Sequence, residues 1–366
     1  MNFDFSDDQK LLQQTAREYL GEHAPLSVCR AVLESDASYS ETLWRGVGEL
    51  GWLGTSIPEA YGGSGFGRLE IAVLAEEVGR ALAPIPFSSS IYLAAEALLQ
   101  FGSEAQKKKY LPKLASGEAI GTLAHAERPG IQSAKAITTS LNGGKLSGAK
   151  VPVADGDIAH FAIVTAKGKG GVALAIVDLS GDGVKRRKVE SIDASRSLAS
   201  IEFSGAPAEV LVADDKGWAA TELLLDRAAV LMAFEQLGGA ERAFDITREF
   251  ILGRYAFGRP IASFQALKHR MADMYVELQL TRSNAYYGAF ALGTDSAELP
   301  TAACGARASA CDTFELVSRE MVQLHGGVGF TWEYDCHLFY RRAKWLSAAL
   351  GTANQWRERL IQRLVA

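Results

Sequence analysis

The hydrophobic periodicity of this chain changes twice between its two ends. Up to about residue 118, apolar residues recur at the spacing of amphipathic helices, as from Leu69 to Leu82. From about Ile120, short runs rich in β-branched residues alternate with glycine turns, a pattern typical of antiparallel strands. From Trp218 onward, long helical patterns return. This order predicts an α+β fold with a helical domain at 1–118, a central antiparallel β-domain at 119–216 and a helical domain at 217–366.

The composition fits a globular enzyme and argues against several other classes. A hydrophobic content of 48% supports a sizeable core, and a net charge of −5 without a basic stripe argues against nucleic-acid binding. Four cysteines lack metal-ligand spacing, so we expect buried thiols in a reducing compartment and no metal. The acidic amino terminus precedes no apolar stretch, and no run is long enough to span a bilayer. We therefore expect a cytoplasmic protein without a targeting peptide or a membrane partner.

Two segments combine glycine with a polar side chain that can reach a ligand. One runs from Arg254 through Phe257 and Gly258 to Gln265, and the other runs from Gln323 to Phe330 with a Gly-Gly pair inside it. Glycine lets a backbone approach a bulky ligand, and arginine binds phosphate through a planar fork of donors. The two segments predict a pocket for a phosphate-bearing cofactor, built differently from the usual dinucleotide turn. The alternative is a simple bend beside a solvated arginine.

These segments and this domain order resemble the acyl-CoA dehydrogenase family of flavoproteins. The resemblance covers nearly the whole chain. The matching segments are Leu50 to Gly54, Ile57 to Gly63, Glu76 to Arg80, Gln106 to Gly117, Arg254 to Gln265, Met271 to Met274 and Gln323 to Gly329. It implies a helical domain, a β-domain and a carboxyl-terminal four-helix bundle, usually assembled as dimers or tetramers of one chain or of related chains.

The resemblance also implies FAD as the cofactor, with its diphosphate and adenine half held by residues of this chain. The residues that match the family positions are Arg254, Phe257, Gln265, Gln323, Gly326, Gly327 and Thr352. Gln323 and the Gly-Gly pair would reach the cofactor across a subunit interface. We therefore expect assembly of subunits to complete the cofactor site.

The implied reaction is oxidation of an acyl-CoA thioester to the trans-2-enoyl form, as in fatty acid or lipid catabolism. A carboxylate removes the α-proton, the β-hydride goes to the flavin, and an electron-transferring flavoprotein is the expected acceptor. The usual glutamate position holds Leu350, which cannot accept a proton. Some relatives instead carry glutamate before an arginine in a long helix, and the matching pair here is Asp226 and Arg227. We predict Asp226 as the base and Arg227 as a substrate contact. The alternative is a structural aspartate paired with Arg227 or Arg242.

The segments that match the flavin-ring side of the family site depart from its pattern. Pro152 stands where relatives carry a tryptophan beside the flavin, and Ala154 stands in place of a threonine. Proline offers no aromatic face and alanine no hydroxyl. Two hypotheses follow: a flavin-dependent acyl-CoA dehydrogenase with Asp226 as base, or a partner subunit that completes only the adenine half of a relative's site. A third, an oxidase or monooxygenase, rests on fold analogy alone.

Overall fold

The computed structural model describes residues 5–130 and 132–365. The chain divides into two compact units. The first combines Met1–Ala31, Arg68–Ala83 and Ala229–Ala366, and the second combines Val32–Gly67 and Pro84–Ala228. The units describe how the chain packs, whereas the three domains above describe runs of like periodicity. The boundaries of those domains stay a prediction.

The first third of the chain is helical, as its periodicity predicts. Ser6 and Gln9 form a reciprocal capping box at the start of the first helix, and Ser103 and Gln106 form another at the start of the sixth. A π-helical turn, Ser88–Ala95, leads directly into the fifth helix, where the sequence suggested one helix from Ile91 to Phe101. These helices are α1 Asp7–His23, α2 Leu26–Leu33, α3 Glu41–Glu49, α4 Arg68–Arg80, α5 Glu96–Phe101 and α6 Glu104–Ala115.

The middle of the chain forms a β-sheet whose strands follow the order β1-β4-β2-β3-β7-β5, with β6 also paired to β7. The strands are β1 Gly121–Ala124, β2 Ser140–Asn142, β3 Lys145–Ala154, β4 Phe161–Lys167, β5 Val172–Asp178, β6 Val184–Val189 and β7 Leu198–Val212. Most neighbours are antiparallel, as predicted. However, β4 pairs in parallel with β1 and β2. Local periodicity identifies strands but does not specify which distant strands become neighbours.

The last part of the chain is again helical. A small hairpin, β8 Tyr255–Ala256 with β9 Arg259–Pro260, separates the first two of its helices. The helices are α7 Gly217–Gly253, α8 Gln265–Gly293, α9 Leu299–Leu324, α10 Cys336–Ala349 and α11 Ala353–Val365. Alanines of α7 and α9 meet in the core of the first unit, where small side chains let helices approach closely.

Helices α4 and α7 approach each other to backbone contact in the first unit. A Cβ atom added at Gly79 would lie 1.8 Å from the Glu235 carbonyl oxygen, and one added at Gly238 would lie 1.8 Å from that of Glu76. Only glycine fits at positions 79 and 238. The segment from Glu76 to Arg80, which contains Gly79, therefore allows α4 to pack closely against α7. Among the described residues, no helix combines the length and apolarity that crossing a bilayer requires.

Candidate functional site

Both phosphate-binding segments predicted from the sequence open onto one cavity in the first unit. The cavity has a volume of about 740 Å³. It is lined by Arg254, which follows α7, and by Gln323, Gly326 and Gly327 at the end of α9. We call it the arginine–glycine cavity. Its size lies within the range of small-molecule and cofactor sites.

The two adjacent glycines present bare backbone to open space. Gly326 has a φ of +63°, which L side chains rarely adopt, and a Cβ atom at either Gly326 or Gly327 would meet no heavy atom within 4 Å. The main chain here is therefore open to close approach by a bulky group. A side chain at Gly326 would be strained and would project into that space.

The charge of the arginine–glycine cavity favours an anion. Arg254 and Arg270 line it, and none of the described lining residues is an aspartate or a glutamate. Arg270 forms an ion pair of 2.8 Å with Glu320, which offsets its charge in part. The Arg254 guanidinium is therefore the group best suited to a phosphate, through paired N–H donors.

An aromatic wall of Phe250, His325 and Tyr334 completes the cavity. His325 stacks on Phe250 at a centroid distance of 4.2 Å, and the ring of Tyr334 stands edge-on to both. The His325 Nδ1 donates to the Met321 carbonyl oxygen at 2.7 Å; burial lowers the pKa of the ring, and this hydrogen bond opposes the shift. Flat faces of this kind suit a planar heterocycle. The three rings come from α7, from the end of α9 and from the segment before α10, so no short motif in the sequence joins them.

Three of the predicted cofactor residues lie outside the lining of this cavity. Phe257 is 93% exposed with a φ of +55° in the β8–β9 turn, and Gln265 is exposed at the first position of α8. Thr352 caps α11, since its hydroxyl accepts from the Gln355 N–H and its own N–H donates to the Gln355 side chain. Their contacts with a cofactor stay predictions.

The predicted base lies inside the second unit, on the first part of α7. Asp226 and Arg227 are each 3% exposed. The Arg227 Nε donates to Glu96 Oε1 at 2.5 Å, and Gln100 Nε2 donates to the same oxygen at 2.9 Å. Glu96 was not identified from the sequence, because 131 residues separate it from Arg227. In the first unit, Leu350 is buried at the end of α10, at the position where the family resemblance led us to look for a glutamate.

The strand that departs from the family pattern keeps a buried ion pair instead. Lys150 Nζ donates to Glu127 Oε1 and to Thr165 Oγ1, each at 2.9 Å. Burial lowers the pKa of Lys150 to about 8. Burial alone would raise the pKa of Glu127, but hydrogen bonds from Thr138 and Lys150 lower it to about 2. The pair is therefore charged at neutral pH and anchors the segment after β1 to β3.

The two substituted positions follow Lys150 on β3. Pro152 is exposed on the sheet and Ala154 is partly buried, with its carbonyl accepting from Thr122. Neither side chain can stack on a ring or donate a hydrogen bond.

Comparison with known proteins places these features in a family. Residues 6–118 match the family model described as acyl-CoA dehydrogenase, N-terminal domain, and residues 215–365 match acyl-CoA dehydrogenase, C-terminal domain. Acyl-CoA dehydrogenase IpdE2 of Mycolicibacterium smegmatis is 35% identical over 358 residues, which cover 97% of this chain and 98% of that protein. The chain belongs to the acyl-CoA dehydrogenase family.

Solved structures agree with this assignment. Butyryl-CoA dehydrogenase from Megasphaera elsdenii has a TM-score of 0.91 and 25% identity, with all of both chains covered. The ChsE4-ChsE5 complex from Mycobacterium tuberculosis has a TM-score of 0.91 and 26% identity, covering 100% of this chain and 99% of that one. The predicted family, fold class and enzyme class, an oxidoreductase acting on CH–CH bonds, are confirmed. FAD is the cofactor of this family.

Proposed function

We propose that this chain holds the adenosine diphosphate half of FAD in the arginine–glycine cavity and catalyses α,β-dehydrogenation of an acyl-CoA thioester, with Asp226 as the base. The observation that carries the proposal is the convergence of Arg254, Gln323, Gly326 and Gly327 on one cavity whose described lining has no carboxylate. The residues fit the cofactor, because the bare glycine backbone leaves room for a diphosphate and the aromatic wall suits adenine.

The residues of the chain would divide the work of binding. The Arg254 guanidinium would pair with phosphate oxygens, and the N–H groups of Gly326 and Gly327 would donate to the same anion. His325 and Phe250 would cover the adenine ring. When bound, the cofactor supplies the acceptor for the β-hydride, and an electron-transferring flavoprotein is the proposed acceptor of its electrons.

Asp226 would take the α-proton of the thioester onto its carboxylate. Burial among apolar side chains of α7 suits this role, because desolvation strengthens a carboxylate as a base. Asp226 is one methylene shorter than the glutamate of relatives, so placement of the substrate must make up the reach. The proposed contact of Arg227 with the substrate would use guanidinium nitrogens other than Nε, which donates to Glu96.

The proposal is tested by Asp226→Asn, with Asp226→Glu as the matched control. We expect Asp226→Asn to retain flavin and bind acyl-CoA but to lose at least about 1,000-fold in the rate of flavin bleaching, since the variant cannot accept a proton. Asp226→Glu restores the carboxylate found in relatives and should retain measurable bleaching. Wild-type bleaching by a flavin-loaded Asp226→Asn variant would show that the base lies elsewhere.

The alternative function is that of a partner subunit in a heteromeric acyl-CoA dehydrogenase. Pro152, Ala154 and Leu350 favour it, because these side chains lack the aromatic face, hydroxyl and carboxylate expected on the ring side of the site. A solved relative, the ChsE4-ChsE5 complex, joins two differently named chains. In such an assembly this chain would supply the arginine–glycine cavity to the flavin of a related subunit.

Purification of the chain alone and together with a related subunit separates the two functions. A yellow homo-oligomer that acyl-CoA thioesters bleach supports the enzyme. A colourless chain that gains flavin only in the presence of a related subunit supports the partner. Rapid oxygen consumption with acyl-CoA would instead identify an oxidase. We also propose a cytoplasmic location, supported by four buried cysteines that form no disulfide within the described residues.

A further inference from the structure

A buried ion pair lies immediately beside the proposed base in the second unit. Arg227 follows Asp226 on α7 and is 3% exposed. Its partner, Glu96, is 5% exposed at the first position of α5, directly after the π-helical turn. The Nε–Oε1 distance is 2.5 Å, and Gln100 donates to the same Glu96 oxygen at 2.9 Å. The two charges are therefore held together away from water.

The pairing determines what electric field Asp226 experiences. Neighbouring residues on a helix point about 100° apart, so Asp226 and Arg227 do not face each other directly. In a buried site, however, a positive charge several ångströms away still acts strongly, because the effective dielectric is low. An uncompensated Arg227 would hold the neighbouring carboxylate in its ionised form and weaken it as a base. Glu96 offsets that charge and fixes the direction of the guanidinium.

We infer that Glu96 is a positioning residue for the dehydrogenation: it neutralises Arg227 and fixes its guanidinium through the Nε–Oε1 hydrogen bond, so that Asp226 remains basic enough to remove the α-proton. This inference rests on the proposed function of Asp226. Charged groups near this turn include Arg227 and Glu222 on α7 and Glu96 on α5. Glu222 lies one turn before Asp226 and is not substituted in any variant below.

The test compares three variants through the pH dependence of kcat/KM for acyl-CoA. In Glu96→Gln, Arg227 is uncompensated, so the acid limb of the profile should move about one unit toward lower pH and kcat should fall about tenfold. In Arg227→Gln, Glu96 is uncompensated, so the limb should move toward higher pH. In the double variant both charges are absent, and the limb should return close to its wild-type position.

Opposite signs for the two single variants separate this role from a structural one, since loss of packing would impair both in the same direction. Gln100→Leu is the matched control, because it removes a hydrogen bond to Glu96 but leaves both charges; its profile should stay at the wild-type pH. FAD content and melting temperature are measured alongside for each protein. If Glu96→Gln does not fold, Arg227→Gln and the double variant still test the inference. The acid limb of Arg227→Gln should lie at higher pH than that of the double variant.

An unchanged limb in Glu96→Gln, or a double variant whose limb stays displaced, would overturn the inference. These outcomes differ from failure of the proposed function. If Asp226→Asn is inactive while the Glu96→Gln profile is unchanged, Asp226 remains the base and only the role of Glu96 is lost. If Asp226→Asn bleaches at the wild-type rate, both proposals fail together.

Discussion

Glu76 is the buried acid whose environment changes its chemistry most clearly. It lies on α4 and is 1% exposed, with one carboxylate oxygen 3.3 Å from Arg282. Its other oxygen, Oε2, has no hydrogen-bond partner among the described residues. Burial raises the pKa of Glu76 to about 7; the positive charge of Arg282 opposes this shift, and the nearby carboxylates of Glu241 and Glu77 add to it.

A raised pKa in the folded state predicts how stability depends on pH. Because the folded protein holds this proton more tightly than the unfolded chain, the contribution of Glu76 to stability is present below about pH 4.5 and is lost as the pH rises to about 7. We expect the free energy of unfolding of the wild type to fall relative to that of Glu76→Gln by on the order of 2 kcal/mol between pH 5 and pH 7.5. Urea titrations at both pH values measure it.

The control for this prediction is Glu49→Gln, at an exposed position at the end of α3. Its stability difference from the wild type should be the same at both pH values. Parallel pH dependence in the wild type and Glu76→Gln would mean that Glu76 is ionised throughout this range.

Some residues of the site were predictable from the sequence, and others were not. Arg254, Gln323 and the Gly-Gly pair were identified because they stand in compact motifs, and the structure brings them to one cavity. The ring of His325 stacks on Phe250 and burial lowers its pKa, and a sequence displays neither fact.

At the scale of elements, the crossing of α4 and α7 gives the sharpest packing prediction. Gly79→Ala would place a methyl group 1.8 Å from the Glu235 carbonyl oxygen, so the helices must separate. We expect the free energy of unfolding to fall by about 3 kcal/mol or more. This loss is at least as large as the upper end of the usual range for overpacked cores. Chemical denaturation of the purified variant measures this loss.

Gly305→Ala provides the matched control within a helix. A Cβ atom at Gly305, in the second turn of α9, would meet no heavy atom within 4 Å. This substitution should stabilise the protein by about 0.5–1 kcal/mol, because alanine loses less backbone entropy in a helix. If Gly79→Ala is no more harmful than Gly305→Ala, the close crossing is absent in solution.

Helix periodicity predicted most elements, and the departures have physical causes. The segment from Ile91 to Phe101 reads as one regular helix, yet its first part adopts a π-helical turn. Apolar spacing does not distinguish the two, because both bury the same side chains. The parallel pairing of β1 with β4 was not predicted either, because tertiary packing and not local periodicity decides which strands become neighbours.

For the whole molecule, the proposed cofactor site predicts stabilisation by ligand. FAD at about 100 times its dissociation constant should stabilise the folded chain by about 2.7 kcal/mol, and riboflavin, which lacks the adenosine diphosphate half, should stabilise it much less. Melting temperatures with FAD, riboflavin and ADP measure this difference. In Arg254→Ala the shifts with FAD and ADP should shrink, because a phosphate contact is removed.

The control for the ligand experiment is Arg248→Ala, at a surface arginine of α7 that does not line the cavity. It should respond to FAD like the wild type. Equal shifts with riboflavin and FAD would refute the adenosine diphosphate site. A shift with FAD only after a related subunit is added would support the partner function.

The sequence by itself determined the family, the order of helical and β regions and the phosphate-binding motifs, because each of these is written in local periodicity or in short runs of residues. Tertiary structure alone decided which distant charges meet. Glu96 pairs with Arg227 across 131 residues, and Glu76 contacts Arg282 across 206. Such pairs depend on how the helices pack and on how burial changes the ionisation of each group. Local periodicity gives no information about either.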